Sequence, residues 1–376
     1  MAALATAKRS LPSYSHRCSP KKFTQHQLFA CLVLKSFLKT DYRGVVAHLT
    51  DCPSLVDSLG LNEVPHYTTL QKAAGRLLAS TPARRLLDAT VEEHLGRRRR
   101  VPRTAIDSTG LESTAASSYF VHRRRYVGGP WKMVIYHRYP KIGIVCDVQT
   151  HFILAADVGR GPKPDVADFR PLLGAALTRV RIERIAADAG FDSEANHAFA
   201  REICRVRSII PAKHGRPTTK PASGHYRRLM QSRFDLLAYR DRVQIETVMS
   251  MLKRRLEGFV RGRNAWSQRR ELRLKVLTHN VMLLFQIEVF YRAVLTLLFS
   301  SSRSVLFSSN RCGTVSHHFR ICAEVSQLNE RHYHLSYHAL QSTKNHHSLR
   351  DRPSIEKCQG KIPSTDHFGV FHIAKL

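Results

Sequence analysis

Residues 182–192 read Ile-Glu-Arg-Ile-Ala-Ala-Asp-Ala-Gly-Phe-Asp, an apolar run that ends on an acid and a glycine. Residues 104–110 repeat the arrangement as Thr-Ala-Ile-Asp-Ser-Thr-Gly. Each reads as a strand that carries an acid, Asp188 or Asp107, at its polar end beside a turn. An Asp followed closely by Gly also marks an ordinary turn or helix cap, so either motif alone leaves both readings open. Taken together they predict two strands that aim carboxylates at one edge of a sheet.

The surrounding periodicity extends this pattern in both directions. Ile142 to Val148 and Phe152 to Val158 form two apolar runs separated by Gln149 to His151, which predicts a hairpin. A helix fits Asp165 to Leu177, and beyond Asp188 another fits Ser193 to Cys204. A strand follows at Arg207 to Pro211, and a long helix over Tyr239 to Leu256. The order is βββαβαβα. It resembles the ribonuclease H-like fold, an α/β architecture in which a mixed sheet is flanked by helices.

The chain before residue 100 has a helical period. Thr24 and Gln27 match a capping box ahead of Leu28, Leu32, Leu34 and Phe37, and Asp41 is placed to cap a helix holding Val45, Val46 and Leu49. Thr68 and Gln71 repeat the capping-box signal before Leu70, Ala74, Leu77 and Leu78. Arg97 to Arg100 form a basic run that reads first as a solvated face or linker, with phosphate contact as the alternative. Residues 293–376 hold nine of the 21 histidines and no sustained period. The expected organisation is a small all-α N-terminal domain for DNA binding or dimerisation with a basic linker (1–100), an α/β catalytic domain (101–292), and an irregular, disordered C-terminal extension (293–376).

Charge narrows the function. The chain has 60 Lys and Arg against 29 Asp and Glu, a net charge of +31, and residues 293–376 contribute only +5 of it. Such a surface gains free energy by releasing counterions from a polyanion, with nucleic acid the first candidate. A membrane span is not expected, because the stretch around Val281 to Phe299 is interrupted by Glu288 and Arg292. The eight cysteines form no CxxC pair and read as reduced thiols, so a cytoplasmic protein is expected.

With acids so few, each can be weighed singly. On a continuous helix Tyr239, Arg242, Glu246 and Lys253 fall within an arc of about 60° at roughly 100° per residue. The apolar positions Ile245, Val248, Met249, Leu252 and Leu256 fall on the adjoining arc, as for a helix packed on a sheet. Three carboxylates from two strands and one helix suit a pair of hard divalent cations, which take oxygen ligands and support in-line phosphoryl displacement. Arg242 and Lys253 suit phosphate as charge partners, and Tyr239 as a hydrogen-bond donor. Asp165, Asp168 and Asp192 are read as caps and turns.

Asp107, Asp188 and Glu246, with Tyr239-x2-Arg242-x3-Glu246-x6-Lys253, resemble the DDE triad and the YREK signature of bacterial insertion-sequence transposases. The match covers about residues 20–292, and the contexts Asp-Ser-Thr-Gly and Asp-Ala-Gly-Phe-Asp resemble those of the family. The resemblance implies a DNA transposase in which Asp107, Asp188 and Glu246 are catalytic and bind two Mg²⁺ ions, with Mn²⁺ as a substitute. It implies terminal inverted repeats and target DNA as partners, engaged by a homodimer and contacted by Tyr239, Arg242 and Lys253. Lys213 and Arg216, in a basic Gly/Pro-containing stretch between the second acid and the third, are expected to add DNA contacts. The alternatives are a catalytically inactive DNA-binding remnant and a nuclease of the same fold.

Overall fold

The computed structural model describes residues 1–96, 99–113, 138–212 and 222–305. Residues 1–298 form one compact unit. Lys213, Arg216 and the expected irregular segment from residue 306 onward lie outside the described residues.

The chain opens with helices α1 (Ala2–Ser10), α2 (Gln25–Phe37), α3 (Tyr42–Asp51), α4 (Pro53–Ser58), α5 (Tyr67–Leu77) and α6 (Ser80–Leu95). Thr24 closes the capping box on α2, its side chain accepting from the Gln27 backbone N–H while the Gln27 side chain accepts from Thr24 N–H. Asp41 caps α3 through the Gly44 N–H at 2.7 Å. The second capping box does not form. Helix α5 begins two residues earlier, with His66 as its N-cap, because His66 Nδ1 takes the Thr68 N–H and also engages its hydroxyl at 2.8 Å. A Thr24→Ala variant is expected to lose about 1 kcal/mol, the usual worth of such a cap. Urea denaturation measures this, with Thr68→Ala as the comparison expected to lose less.

Five strands build the main sheet: β1 (Arg100–Gly110), β3 (Tyr139–Asp147), β4 (Ile153–Gly161), β5 (Arg181–Ala187) and β6 (Arg207–Ile209). Their order is β4-β3-β1-β5-β6, with the first three antiparallel and β1, β5 and β6 parallel. This is the ribonuclease H-like arrangement anticipated from the element order. The hairpin turns where expected, with Asp147 Oδ1 accepting from Gln149 N–H at 2.9 Å and His151 at φ +62°. A short second ladder pairs β2 (Glu112–Ser113) with β7 (Phe259–Val260).

Successive strand residues enter opposite apolar layers, as a period of two requires. Ala105, Ile144 and Ile153 join one cluster, and their neighbours Ile106, Val145 and Leu154 join the other. The second layer is covered by α7 (Phe169–Leu177), whose Phe169, Leu172 and Leu173 are buried. The first is covered by α11 (Val243–Arg255) and α12 (Ala265–Val305), and it is continuous with the N-terminal helices through Phe29, Leu32, Leu70 and Leu77. Arg100 itself is exposed at the head of β1, while the buried cluster draws residues from both sides of it. The N-terminal helices pack on one another, α1 on α2 and α6, and α2 on α5, and share one buried cluster with Ile245, Leu272 and Leu277.

Further helices are α8 (Glu194–Ala198), capped by Ser193 and continued by a wider turn over Phe199–Ile203, then α9 (His225–Ser232) and α10 (Leu236–Tyr239). Helix α12 carries regular structure past residue 292, where an irregular segment is expected; Ala293, Leu295, Leu297 and Leu298 are good helix formers. Among the described residues no helix is long and apolar enough to cross a membrane.

Candidate active site

Parallel pairing of β1 with β5 sets Ile106 opposite Ala187, so Asp107 and Asp188 are the next residues on two adjacent strands. Neighbouring strands run about 4.8 Å apart, which makes the two acids neighbours at one sheet edge. Each carboxylate is oriented by a backbone N–H close by in sequence, Asp107 within β1 and Asp188 just past the end of β5. Asp107 Oδ1 accepts from Ser108 N–H at 2.8 Å, and Asp188 Oδ1 accepts from Gly190 N–H at 2.7 Å. Gly190 is required by close approach: a Cβ there would lie 2.8 Å from Asp188 Oδ1 and 3.4 Å from Asp165 Oδ2. The glycine of the Asp-x-Gly motif thus lets two carboxylates crowd one backbone turn.

Asp165 was expected to act as a cap, and the structure corrects this. It pairs with Lys141 Nζ at 2.7 Å, and the same ammonium reaches Asp168 at 2.9 Å and the Lys163 carbonyl at 2.8 Å. Burial alone would lower the Lys141 pKa; hydrogen bonds from Asp165 and Asp168 outweigh it and hold it raised. Asp168 makes no side-chain cap, and Asp192 pairs with Arg227 at 2.8 Å rather than serving only as a turn residue. A lysine at the head of an apolar strand, Lys141 before Ile142, is the sequence signal that points to this network.

The expected long helix from Tyr239 is in fact broken. Helix α10 ends at Tyr239, a 3₁₀ turn takes Arg240–Arg242, and α11 begins at Val243. Asp241 pins that turn to both central strands, pairing with Arg184 of β5 at 2.8 Å and with Arg103 of β1 at 3.5 Å. These ion pairs join residues far apart in sequence, which local periodicity cannot register. The polar residues still converge. Arg242 Nη1 meets Glu246 Oε1 at 2.7 Å, and Lys253 Nζ donates to Thr109 Oγ1 at 2.7 Å, two residues beyond Asp107. The buried face of α11 holds Ile245, Val248, Met249 and Leu252, as anticipated.

The electrostatics tie these groups together. Burial pushes the Asp107 carboxyl up to about 6; Asp188 and Asp165 add to the rise, while the Ser108 N–H and Arg242 oppose it. The Tyr239 hydroxyl is also held high, first by burial and then by Asp188, Glu246 and Asp107, against Arg242. All three sequence-derived acids thus act on one tyrosine. Among the described residues, however, no group of three His, Cys, Asp or Glu is close enough to hold a metal ion. Glu246 is turned to Arg242, with its side chain 54% exposed. For a divalent cation the Asp107–Asp188 pair fits, since its donors are hard oxygens whose negative charge is only partly offset by Arg242. Glu246 stands outside the pair in this conformation.

The Asp107 shift has a measurable sign. Its folded pKa lies above the ordinary 3.8, so the folded chain holds that proton more tightly than the unfolded chain does. Stability therefore falls as pH rises from about 4 through about 6, and the penalty is fully present above that window. Asp107→Asn removes the penalty. In metal-free buffer the variant is expected to melt higher than wild type above pH 6 and equally near pH 4, as read by thermal denaturation across pH.

Comparison with known proteins follows from this geometry. A family model described as transposase DDE domain matches residues 98–281. No curated protein matches the chain. Two solved structures align at 12% identity. One, a cryo-EM structure of piggyBac transposase synaptic complex with hairpin DNA, covers 78% of this chain and 72% of that chain at a TM-score of 0.39. The other, a crystal structure of a pre-cleavage Mos1 transpososome, covers 72% and 81% at a TM-score of 0.19. The matched span contains β1, β5 and α11 with both strand acids and the helical glutamate, so over residues 98–281 the chain is similar to the transposase DDE domain family.

Proposed function

We propose that the chain is an insertion-sequence transposase of the YREK-signature group that binds the ends of its own element and carries out magnesium-dependent strand cleavage and strand transfer. The observation that most supports this reading is the parallel register of β1 and β5, which brings Asp107 and Asp188 side by side beside the Arg242–Glu246 pair of the following helix. Asp107, Asp188 and Glu246 would hold the metal. Bound there, two divalent ions supply activation of an attacking oxygen and stabilisation of the leaving one.

The chain's own residues then divide the remaining work. Arg242 is placed to take a backbone phosphate, and in doing so it gives up Glu246. An exposed i,i+4 pair is worth only about 0.3–0.5 kcal/mol, so a phosphate competes for Arg242 easily, freeing the third carboxylate to join the pair. Lys253, anchored on Thr109, and Tyr239 line the same approach and suit the next phosphates. Lys213 and Arg216 would add DNA contacts, and two copies of the chain would act together on the paired ends.

The test is incubation of the full chain with duplexes carrying the element's terminal repeats and a target plasmid. Cleaved ends and joined products that require Mg²⁺ or Mn²⁺ are the expected outcome. Binding without cleavage would favour an inactive remnant, and hydrolysis without joining would favour a nuclease.

A further inference from the structure

A second polar site lies along the free edge of the sheet. A cleft of about 210 Å³ opens between α6, strand β4, α7 and α12. Asp157 on its wall pairs with Gly143, which pairs with Ser108, so the cleft stands two strands from the catalytic edge, about 10 Å at that register. Ser80, Ala83, Arg84 and Leu87 face it at positions i, i+3, i+4 and i+7 of α6, and Arg273, Val276 and Leu277 face it from α12.

Three guanidiniums line the cleft, and they are not equivalent. Arg179 is already committed: its side chain is 7% exposed, pairs with Asp88 at 2.5 Å and donates to the Ala175 carbonyl at 2.7 Å. Arg273 donates to the Leu78 carbonyl at 2.9 Å, yet among the described residues neither it nor Arg84 has an ion-pair partner. Burial lowers the Arg273 pKa, and Arg269, Arg270 and Arg84 lower it further, with Asp157 the one acid acting against them. Like charges gathered at a half-buried position are costly unless an anion joins them. The lining also carries the apolar side chains of Leu87, Val158, Leu172 and Leu277, beside Asp157. An anion joined to an apolar body matches both.

We propose that this cleft binds a nucleotide unit of DNA, with the phosphate between Arg84 and Arg273 and the sugar or base against the Leu87–Val158–Leu277 wall. Arginine forks suit phosphate oxygens, and the +31 charge of the chain points to a polyanion rather than to a small acidic peptide. The anion site follows from the cleft itself; its assignment to DNA rests on the function proposed above.

The experiment uses the full chain with three probes: inorganic phosphate, a free deoxynucleotide, and a DNA duplex with a single-stranded end. DNA affinity is read by fluorescence anisotropy across salt concentration for wild type, Arg84→Gln and Arg85→Gln. Arg85 is exposed on the same helix but does not line the cleft. Arg84→Gln is expected to weaken DNA binding several-fold and to lower the salt slope by about one, while Arg85→Gln changes both far less. Chemical modification of arginines, read by mass spectrometry, should show Arg84 and Arg273 protected by DNA and not by phosphate or nucleotide at equal concentration. Equal losses in the two variants would overturn the cleft and leave DNA binding standing. Protection by free nucleotide at the affinity of DNA would overturn the DNA assignment. If wild type binds no DNA at all, the transposase reading and this one fail together.

Discussion

Asp107→Asn and Asp188→Asn are each expected to lower the proposed metal-dependent strand cleavage by on the order of 10³-fold or more while leaving DNA affinity within about twofold. The two acids sit on adjacent strands, each oriented by a backbone N–H, and an amide preserves the shape and that hydrogen bond while removing the charge that a cation needs. Groups that act as one unit are strongly non-additive, so the double variant is expected to be little worse than either single one. Glu246→Gln should lose comparable activity, although its carboxylate lies on Arg242 in the free chain. Single-turnover cleavage of an end-bearing duplex measures all four proteins. Residual activity within tenfold of wild type in either aspartate variant would remove that residue from the catalytic set. The outcome separates from a folding defect because Asp107→Asn is expected to raise, not lower, the metal-free melting temperature above pH 6.

Phe191→Ala is the substitution with the largest expected cost to stability, about 3–5 kcal/mol, the range for deleting a fully buried aromatic ring. Phe191 has no exposed surface and lies against Phe169, ring centroids 6.3 Å apart, in the layer between the sheet and α7. It is also three residues past Asp188, so its ring anchors the turn that aims that carboxylate. Against a typical total of about 5–15 kcal/mol for a native protein, the loss takes a large share. Phe191→Leu keeps most of the volume and is expected to cost below about 1.5 kcal/mol. Urea denaturation of the two variants gives the comparison; a loss under about 1 kcal/mol for the alanine variant would show that the ring does not anchor the turn.

How much of this was legible in advance follows from the range of each interaction. The strands at Asp107 and Asp188, the hairpin at Gln149 to His151 and the caps at Thr24 and Asp41 were readable because alternation, turn chemistry and capping are settled within a few residues. The glycine after Asp188 was readable as a turn, but its reason was not: only the folded chain brings Asp165 against the same position.

Other features depend on partners distant in sequence. The helix over Tyr239 to Leu256 looked continuous, since nothing local marks the 3₁₀ turn that Asp241 ties to Arg103 and Arg184. The N-terminal helices looked like a separate domain, since an amphipathic period shows that a face is buried without showing against what. Asp165 and Asp168 looked like caps until Lys141 arrived beside them from another strand. Composition and short-range patterning therefore specified the element types, the charge and the identity of the acids. Which distant charges meet and which face covers which sheet layer were settled by long-range packing and ion pairing, because those energies arise only after distant segments come together.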